Sequence, residues 1–276
     1  MKQITSYILA FAAAFWTANS LLCAAEPDAK IEGSFQQTYV YGRYLKGDAV
    51  SARAQEGVVT LTGTVVQQFH KALAEETVAN LPGVTRVDNQ LEVIGEIPAA
   101  QSDAGIRAKV KSMLTFHRSV NNPGTEVDVV NGRVILRGQA TSVTQREMTT
   151  QYAKAVEGVA EVQNEMTVVT PPENSPGPHN LKIDDPSITA QVKLMLQYHG
   201  SACALANEVK TLDGVVWLSG KQGLSVQDQD LVAMILVDIY GVMSVIDTHQ
   251  GITIYGYYEE PAHSLSDSHD RLAESE

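Results

Sequence analysis

Two cysteines in 276 residues leave no room for a disulfide framework. Cys23 falls in an N-terminal segment that reads as removable, so Cys203 stands alone, and one cysteine cannot close an intramolecular bridge. The fold must therefore hold through apolar packing, with Cys203 as a small buried or half-buried filler. Positive charge is also scarce: 20 Lys and Arg stand against 32 Asp and Glu, a formal net charge of −12 at pH 7. Such a chain is repelled at long range by nucleic acid and by anionic membranes. Nucleic acid is thereby excluded as a partner, and any affinity for anionic lipid has to come from a local basic patch. Catalytic signatures are missing as well. There is no Gly-x-Ser-x-Gly elbow, phosphate loop, Cys-x-x-Cys or His-Glu-x-x-His. The expectation is a protein that is not an enzyme and has no cofactor and no metal.

The apolar run Tyr7 to Trp16, preceded by Lys2, is too short and too soon followed by polar sequence for a membrane-spanning helix. With Cys23 and Ala25 as small residues at its end, residues 1–25 read as a secretory signal peptide, which places the mature chain, starting at Glu26, in the periplasm. A lipoprotein signal would instead leave a lipid on Cys23, but Leu22 occupies the preceding position, where a small residue is expected, so lipidation is disfavoured.

What the chain does contain is a repeat. Three glycine-bounded segments align: Gly57 to Gly63 (GVVTLTG), Gly132 to Gly138 (GRVILRG) and Gly214 to Gly220 (GVVWLSG), 75 and 82 residues apart. Each is followed, 20 or 21 residues after its second glycine, by Gly83-Val84, Gly158-Val159 or Gly241-Val242, and six residues later by Asn89, Asn164 or Asp247. Asn131-Gly132 and Asp213-Gly214 supply the positive backbone angles of a tight type I′ hairpin, and Glu56-Gly57 is a weaker version. Alternation in Val59-x-Leu61, Val134-x-Leu136 and Val216-x-Leu218 turns one strand face into a core, and the second glycine is expected to end the strand. Helical pattern fills the 12 to 16 residues between glycine landmarks, with Ser142-Val-Thr-Gln145 as a capping box and Ser225-Val-Gln-Asp228 similar. A leading helix precedes each hairpin: Ile106, Val110, Met113, Leu114 and His117 align with Ile188, Val192, Met195, Leu196 and His199 at an offset of 82, whereas the first copy offers only Ile31, Phe35, Tyr39 and Gly42.

The expected fold class is α+β, in three tandem units of helix, strand, strand, helix, strand, each with two helices packed on a three-stranded sheet. The units span residues 28–95, 101–170 and 186–256, with a proline-rich linker at 171–185 and a disordered acidic tail at 259–276. The linker suggests that the third unit is the more loosely tethered. Its alternation resumes late, at Ile252-x-Ile254, so a bulge or distorted closing strand is expected after Asp247.

The Gly-x-Val-x-Leu-x-Gly hairpin followed by Gly-Val-x-x-Val-x-Asn resembles the BON domain family, over about residues 28 to 256. The resemblance implies an α+β domain of helix, strand, strand, helix, strand order, found in periplasmic proteins that bind phospholipid and help maintain the envelope, some induced by osmotic stress. The repeat glycines Gly57, Gly63, Gly83, Gly132, Gly138, Gly158, Gly214, Gly220 and Gly241 are structural in this reading.

The candidate lipid-headgroup site is the leading helix of the second copy. Arg107, Lys111 and Arg118, at spacings of four and seven, share one helical stripe, and Lys109 projects from another face. Only Asp103 opposes them there, so the segment is a basic island on an acidic chain, suited to weak, peripheral, salt-sensitive contact with anionic phospholipid or a membrane surface. The competing reading is a solvated helix face. In the third copy Thr189 and Gly200 replace Arg107 and Arg118. His117 and His199 share the inferred core face, which favours packing over metal ligation. Phe116, Tyr198 and Tyr41 occupy one repeat position and read as packing residues. Tyr255, Tyr257 and Tyr258 either insert at an interface or close the third unit. The alternative to lipid binding is a protein-interaction or chaperone-like module whose sheet faces and edges engage envelope proteins.

Overall fold

The three hairpins turn where two successive residues take positive φ: Glu56 and Gly57 (53° and 77°), Asn131 and Gly132 (52° and 75°), Asp213 and Gly214 (49° and 75°). Those angles define the type I′ turn, whose twist matches that of the flanking strands. The computed structural model describes residues 27–95, 97–169, 183–199, 209–219, 226–248 and 252–255. The expectations for the leader at 1–25, Cys203, Gly220, Ser225, most of the linker, Tyr257, Tyr258 and the tail, and for the side chain of Tyr255, lie outside the described residues.

In the first unit, helix α1 (27–37) precedes β1 (Ala49–Gln55), β2 (Val58–Val65), α2 (Gln68–Ala79), β3 (Arg86–Asn89) and β4 (Glu92–Val93). β1 and β2 are antiparallel, with Gln55 opposite Val58. The crossover through α2 brings β3 parallel to β2, so β2 is central. Val59, Leu61 and Val65 of β2 are buried with Ile31 and Phe35 of α1 and Leu73 and Val78 of α2. The second unit repeats this order with α3 (Asp103–Phe116), β5 (Glu126–Val130), β6 (Arg133–Arg137), β7 (Gln139–Ala140), α4 (Val143–Ala155), β8 (Glu161–Asn164) and β9 (Thr167–Val168). The third contains α5 (Asp185–Tyr198), β10 (Val209–Leu212), β11 (Val215–Leu218), α6 (Val226–Val237), β12 (Ser244–Asp247) and β13 (Ile252–Tyr255).

Two expectations about the strands need correction. Gly63 does not end its strand: β2 runs on to Val65, and β7 resumes after Gly138. Both glycines have φ of +115°, and a Cβ there would overlap the carbonyl oxygen of Ala49 or Gly124 on the neighbouring segment, so glycine marks a close approach rather than a stop. The interruption expected in the third closing strand occurs in the other two units. β3 and β4 both pair with β2 and are separated at Gln90 and Leu91, just as β8 and β9 are separated beside β6 and β7. At each break an asparagine amide bridges outward: Asn89 Nδ2 donates to the Lys71 carbonyl, Asn164 Nδ2 to that of Arg146, and their Oδ1 atoms accept from Leu91 N and Met166 N. The third unit has Asp247, which lacks that NH2 group, and its chain turns back as β13, antiparallel to β12.

The helix starts follow side-chain chemistry. Ser102 caps α3, Ser142 caps α4 and Asp184 caps α5, each accepting from the amide three residues on. In the expected capping box, Gln145 reaches back to Thr141 N rather than to Ser142 N. Asp185, expected at the end of the linker, already belongs to α5, and Pro186 lies in the helix's first turn, where a missing N–H costs nothing.

The third unit is not loosely held. Ser187 through Val192 and Leu194 through Leu196 are all buried, so α5 is enclosed on nearly every side. A helix with Ala190, Val192, Leu194 and Leu196 as well as Ile188 and Met195 is apolar around most of its circumference and must find more than one partner. It packs on α2 of the first unit, on α3 of the second and on its own β10. Its cap also serves the first unit: Tyr39 N donates to Asp184 Oδ2 (2.7 Å) and Val40 N to Ser187 Oγ (3.0 Å). There the end of α1 opens into a π turn, Tyr41–Leu45. The second and third units join through two antiparallel bridges at equivalent places, His117 with Ile239 and Val156 with His199, so that each leading helix ends on the other unit's second helix.

Candidate functional site

The exposed face of α3 is formed by Ala104, Ala108 and Lys111, with Arg107 half-buried beside them. Gly105, Ile106, Val110, Met113, Leu114 and Phe116 occupy the opposite face and fix its rotation. Arg107 and Lys111 are one turn apart on this face, between small alanines. Neither makes a hydrogen bond or ion pair to a described residue, apart from the nearby charge of Asp103 acting on Arg107. The Asp103 carboxylate is turned to the hairpin, accepting from Asn131 N and Gly132 N, both at 2.8 Å. Those two bonds, from Gly132 and then Asn131, hold its pKa below the usual range.

Lys109 and Arg118 are not part of this face. Lys109 reaches Glu157 at 3.5 Å. Arg118 was expected to continue the stripe, but α3 ends at Phe116 and His117 has extended backbone, so the helical period no longer applies. Its guanidinium turns into the junction with the third unit, where Nη2 donates to the Val237 carbonyl (2.6 Å) and Nε faces Asp238 Oδ1 (3.5 Å). The basic face is therefore a pair, Arg107 and Lys111, and Arg118 is a joint.

That joint was not legible in the sequence. Asp238 is buried, accepts from the Tyr152 hydroxyl (2.9 Å) and from the Ser119 hydroxyl, and forms an ion pair with Arg118. Burial raises its pKa, opposed by Ser119, Tyr152 and Arg118. His117 is fully buried beside it, its ring edge-on to Tyr152 with centroids 4.3 Å apart, and neither ring nitrogen has a hydrogen-bond partner. Desolvation drives its pKa down to about 3, so the ring is neutral. Phe116 is buried, and Tyr198 is half-buried with its pKa pushed up to about 12 by desolvation. Among the described residues, no group of three or more His, Cys, Asp or Glu is placed to hold a metal ion, and no helix is long and apolar enough to cross a membrane.

A second set of residues escaped the sequence reading although the repeat offsets mark it. Asp28, Asp103 and Asp185 stand 75 and 82 residues apart, and each carboxylate accepts from both amides of its own hairpin turn. They tie the start of each leading helix to the turn and are structural.

Comparison with known proteins gives one family and several relatives. The BON domain family profile matches residues 27–95 and 102–170, together half of the chain. Osmotically-inducible protein Y of Escherichia coli (strain K12) is 29% identical over 143 residues, covering 50% of this chain and 71% of that protein. Outer membrane lipoprotein DolP of Haemophilus influenzae is 36% identical over 117 residues, 42% of this chain and 56% of that protein. Among solved structures, CdsD, a structural protein of the type III secretion system of Chlamydia trachomatis, is 17% identical over 76% of this chain and 87% of that chain, with a TM-score of 0.21, too low to bear on the fold.

Proposed function

Because this chain belongs to the BON domain family, we propose that it is a periplasmic envelope protein of three BON-type units that binds anionic phospholipid peripherally and supports the envelope under osmotic stress. One observation carries the lipid reading: of the three leading helices, α3 alone places two cations without an ion-pair partner among the described residues one turn apart, whereas α1 offers a single exposed lysine, Lys30. In α1 the positions of Arg107 and Lys111 are held by Glu32 and Gln36, and Glu32 accepts from Ala54 N. In α5 they are Thr189, which is buried, and Lys193, which is paired with Glu76 at 2.8 Å. The names of the two bacterial relatives, one osmotically inducible and one an outer membrane lipoprotein, agree with an envelope role.

Two basic residues near an anionic bilayer contribute about 1 kcal/mol each, enough for weak, salt-screened attachment and not for insertion. The test is co-sedimentation of the full chain with phosphatidylglycerol vesicles at low salt. Binding that is lost in the double variant Arg107→Glu, Lys111→Glu supports the proposal, and binding that survives it removes the site. Arg118 is a poor probe, because its loss disturbs the joint.

The reading as a protein-interaction module is favoured by a different observation. On the third sheet, Leu212 and Trp217 are 65% and 40% exposed. The same face of the second sheet is instead laced with Arg133–Glu161, Arg137–Asp128 and Arg137–Glu165 pairs. Trp217→Ser would abolish capture of an envelope protein while leaving vesicle binding intact if this reading holds.

A further inference from the structure

Strand β5 is an edge of the second sheet, beside β6 alone. In a two-residue hairpin the pair next to the turn, here Val130 with Arg133, exchanges both ladder bonds, so by alternation Val129 and Val127 point their N–H and C=O groups out of the sheet. Asn131, next in that alternation, shows the direction, because its N–H meets Asp103 on α3. Outward amides on an edge strand need an acceptor, and natural proteins cover such edges. Each unit here does so with its leading helix, and the three do it differently.

In the first unit the amide equivalent to Val129 N is Ala54 N, and it donates to Glu32 Oε1 at 2.9 Å. In the third unit the equivalent residues, Thr189 on α5 and Thr211 on β10, bond to each other through their hydroxyls at 2.7 Å. In the second unit the place of Glu32 is taken by Arg107, which brings donors only. No described residue accepts from Val129 N outside the sheet ladder. The Arg107 Nε is buried and has no hydrogen-bond partner among the described residues either. Because α3 packs against β5, an unanswered strand amide and an unanswered guanidinium N–H fall on the same sheet edge. Donors left in this way call for an acceptor from outside the chain or for water.

We propose that this edge binds an extended acidic segment of a partner protein, with one carboxylate at Val129 N and the Arg107 guanidinium, in the manner of Glu32 at Ala54 N, and a second over Lys111. Spacing supports an extended chain. Arg107 and Lys111 are one turn apart, about 6 Å along the helix axis. Alternate side chains of a strand repeat about every 6.8 Å, so a Glu-x-Glu segment matches the pair. Such a segment also meets the outward amides and carbonyls of Val127 and Val129, which offer main-chain pairing. Carboxylate is the favoured anion because the fold itself puts one at the same position of the first unit. The one acid of α3, Asp103, does not compete, since it is committed to Asn131 and Gly132. The inference does not rest on the lipid reading: the two share Arg107 and Lys111 and part at Val129, which plays no role in vesicle attachment.

The test is a nuclear magnetic resonance titration of the isotope-labelled full chain with the blocked peptide Thr-Glu-Thr-Glu-Thr and with its Gln counterpart. Saturable shifts of the Val129 amide and the Arg107 Nε are expected with the Glu peptide. The Gln peptide keeps the length and loses the charge, and its binding is expected to be about tenfold weaker. Val129→Pro removes the outward N–H without touching a ladder bond, which an edge strand tolerates. It is expected to weaken peptide binding about tenfold and to leave vesicle sedimentation unchanged. Arg107→Glu supplies a carboxylate within the chain, as Glu32 does, so it is expected to move the Val129 amide without peptide and to abolish peptide binding. No saturable shift at Val129, or equal binding of the Gln peptide, overturns the inference, and the parent chain alone decides this where a variant does not fold. Vesicle binding without peptide binding removes this inference and leaves the lipid reading standing. Peptide binding without vesicle binding removes the lipid reading alone.

Discussion

His117 and Asp238 both lie against Tyr152, in environments that push both toward neutrality. The folded chain holds His117 at about 3 against an ordinary 6.5. Below pH 6.5 the unfolded chain takes up a proton that the folded chain refuses. Stability therefore falls on acidification between about 6.5 and 3, by up to about 1.4 kcal/mol per pH unit. Asp238 works in the opposite sense: its raised folded pKa makes the folded chain the better proton acceptor, so its contribution improves as pH falls toward the unfolded value. His117→Leu, which removes two unpaired buried nitrogens, is expected to be no less stable than the parent at pH 7 and to lose less stability between pH 6.5 and 5. Urea unfolding at the two pH values checks this, and identical pH dependence would contradict it. Asp238→Asn strands Arg118 and places an NH2 group among donors, and a loss of about 3 kcal/mol is expected in the same assay. The hairpin residues were fully legible at this scale, since Asn-Gly and Asp-Gly announce positive φ. Asp238 was not, because its partners Ser119 and Tyr152 are 119 and 86 residues away.

At the scale of elements, α5 shows how far a periodic pattern reaches. The alignment of Ile188, Val192 and Met195 with α3 found one buried face correctly, but it gave no warning of the other faces, because Ala190, Gln191 and Leu194, which are also buried, lie off the aligned positions. The sequence likewise placed Arg118 on a stripe because no glycine or proline marks the helix end at Phe116, which is set instead by docking against the third unit. Energetically, the enclosed side of α5 should dominate. Met195→Ala is expected to cost about 2–5 kcal/mol and Lys193→Ala under about 1 kcal/mol, since the latter loses only a partly exposed ion pair with Glu76. Denaturant titration of the two variants separates them, and a larger loss from Lys193→Ala would show that the pair, and not packing, holds α5 in place.

For the whole molecule, the three units share one assembly around α5 instead of hanging as independent beads. Units two and three exchange backbone bonds in both directions, Arg118 N to Asp238 O (3.0 Å), Tyr240 N to Phe116 O (3.4 Å) and Glu157 N to Tyr198 O (2.9 Å). A chain ending at residue 169 would expose Phe116, His117 and Tyr152, and it is expected to lose its cooperative thermal transition and to aggregate in gel filtration. Retention of a sharp transition would mean that the joint is dispensable. This assembly also explains why two basic residues stand together on one leading helix: α5 is enclosed and α1 offers Lys30 alone beside Glu32, which leaves α3 to meet a surface with two. That claim is tested most directly by sedimentation of the full chain with phosphatidylglycerol vesicles across a salt series. Binding at low salt that disappears as salt is raised, and disappears at all salt in the Arg107→Glu, Lys111→Glu variant, is the expected result. Binding that is indifferent to salt and to those two residues would contradict it.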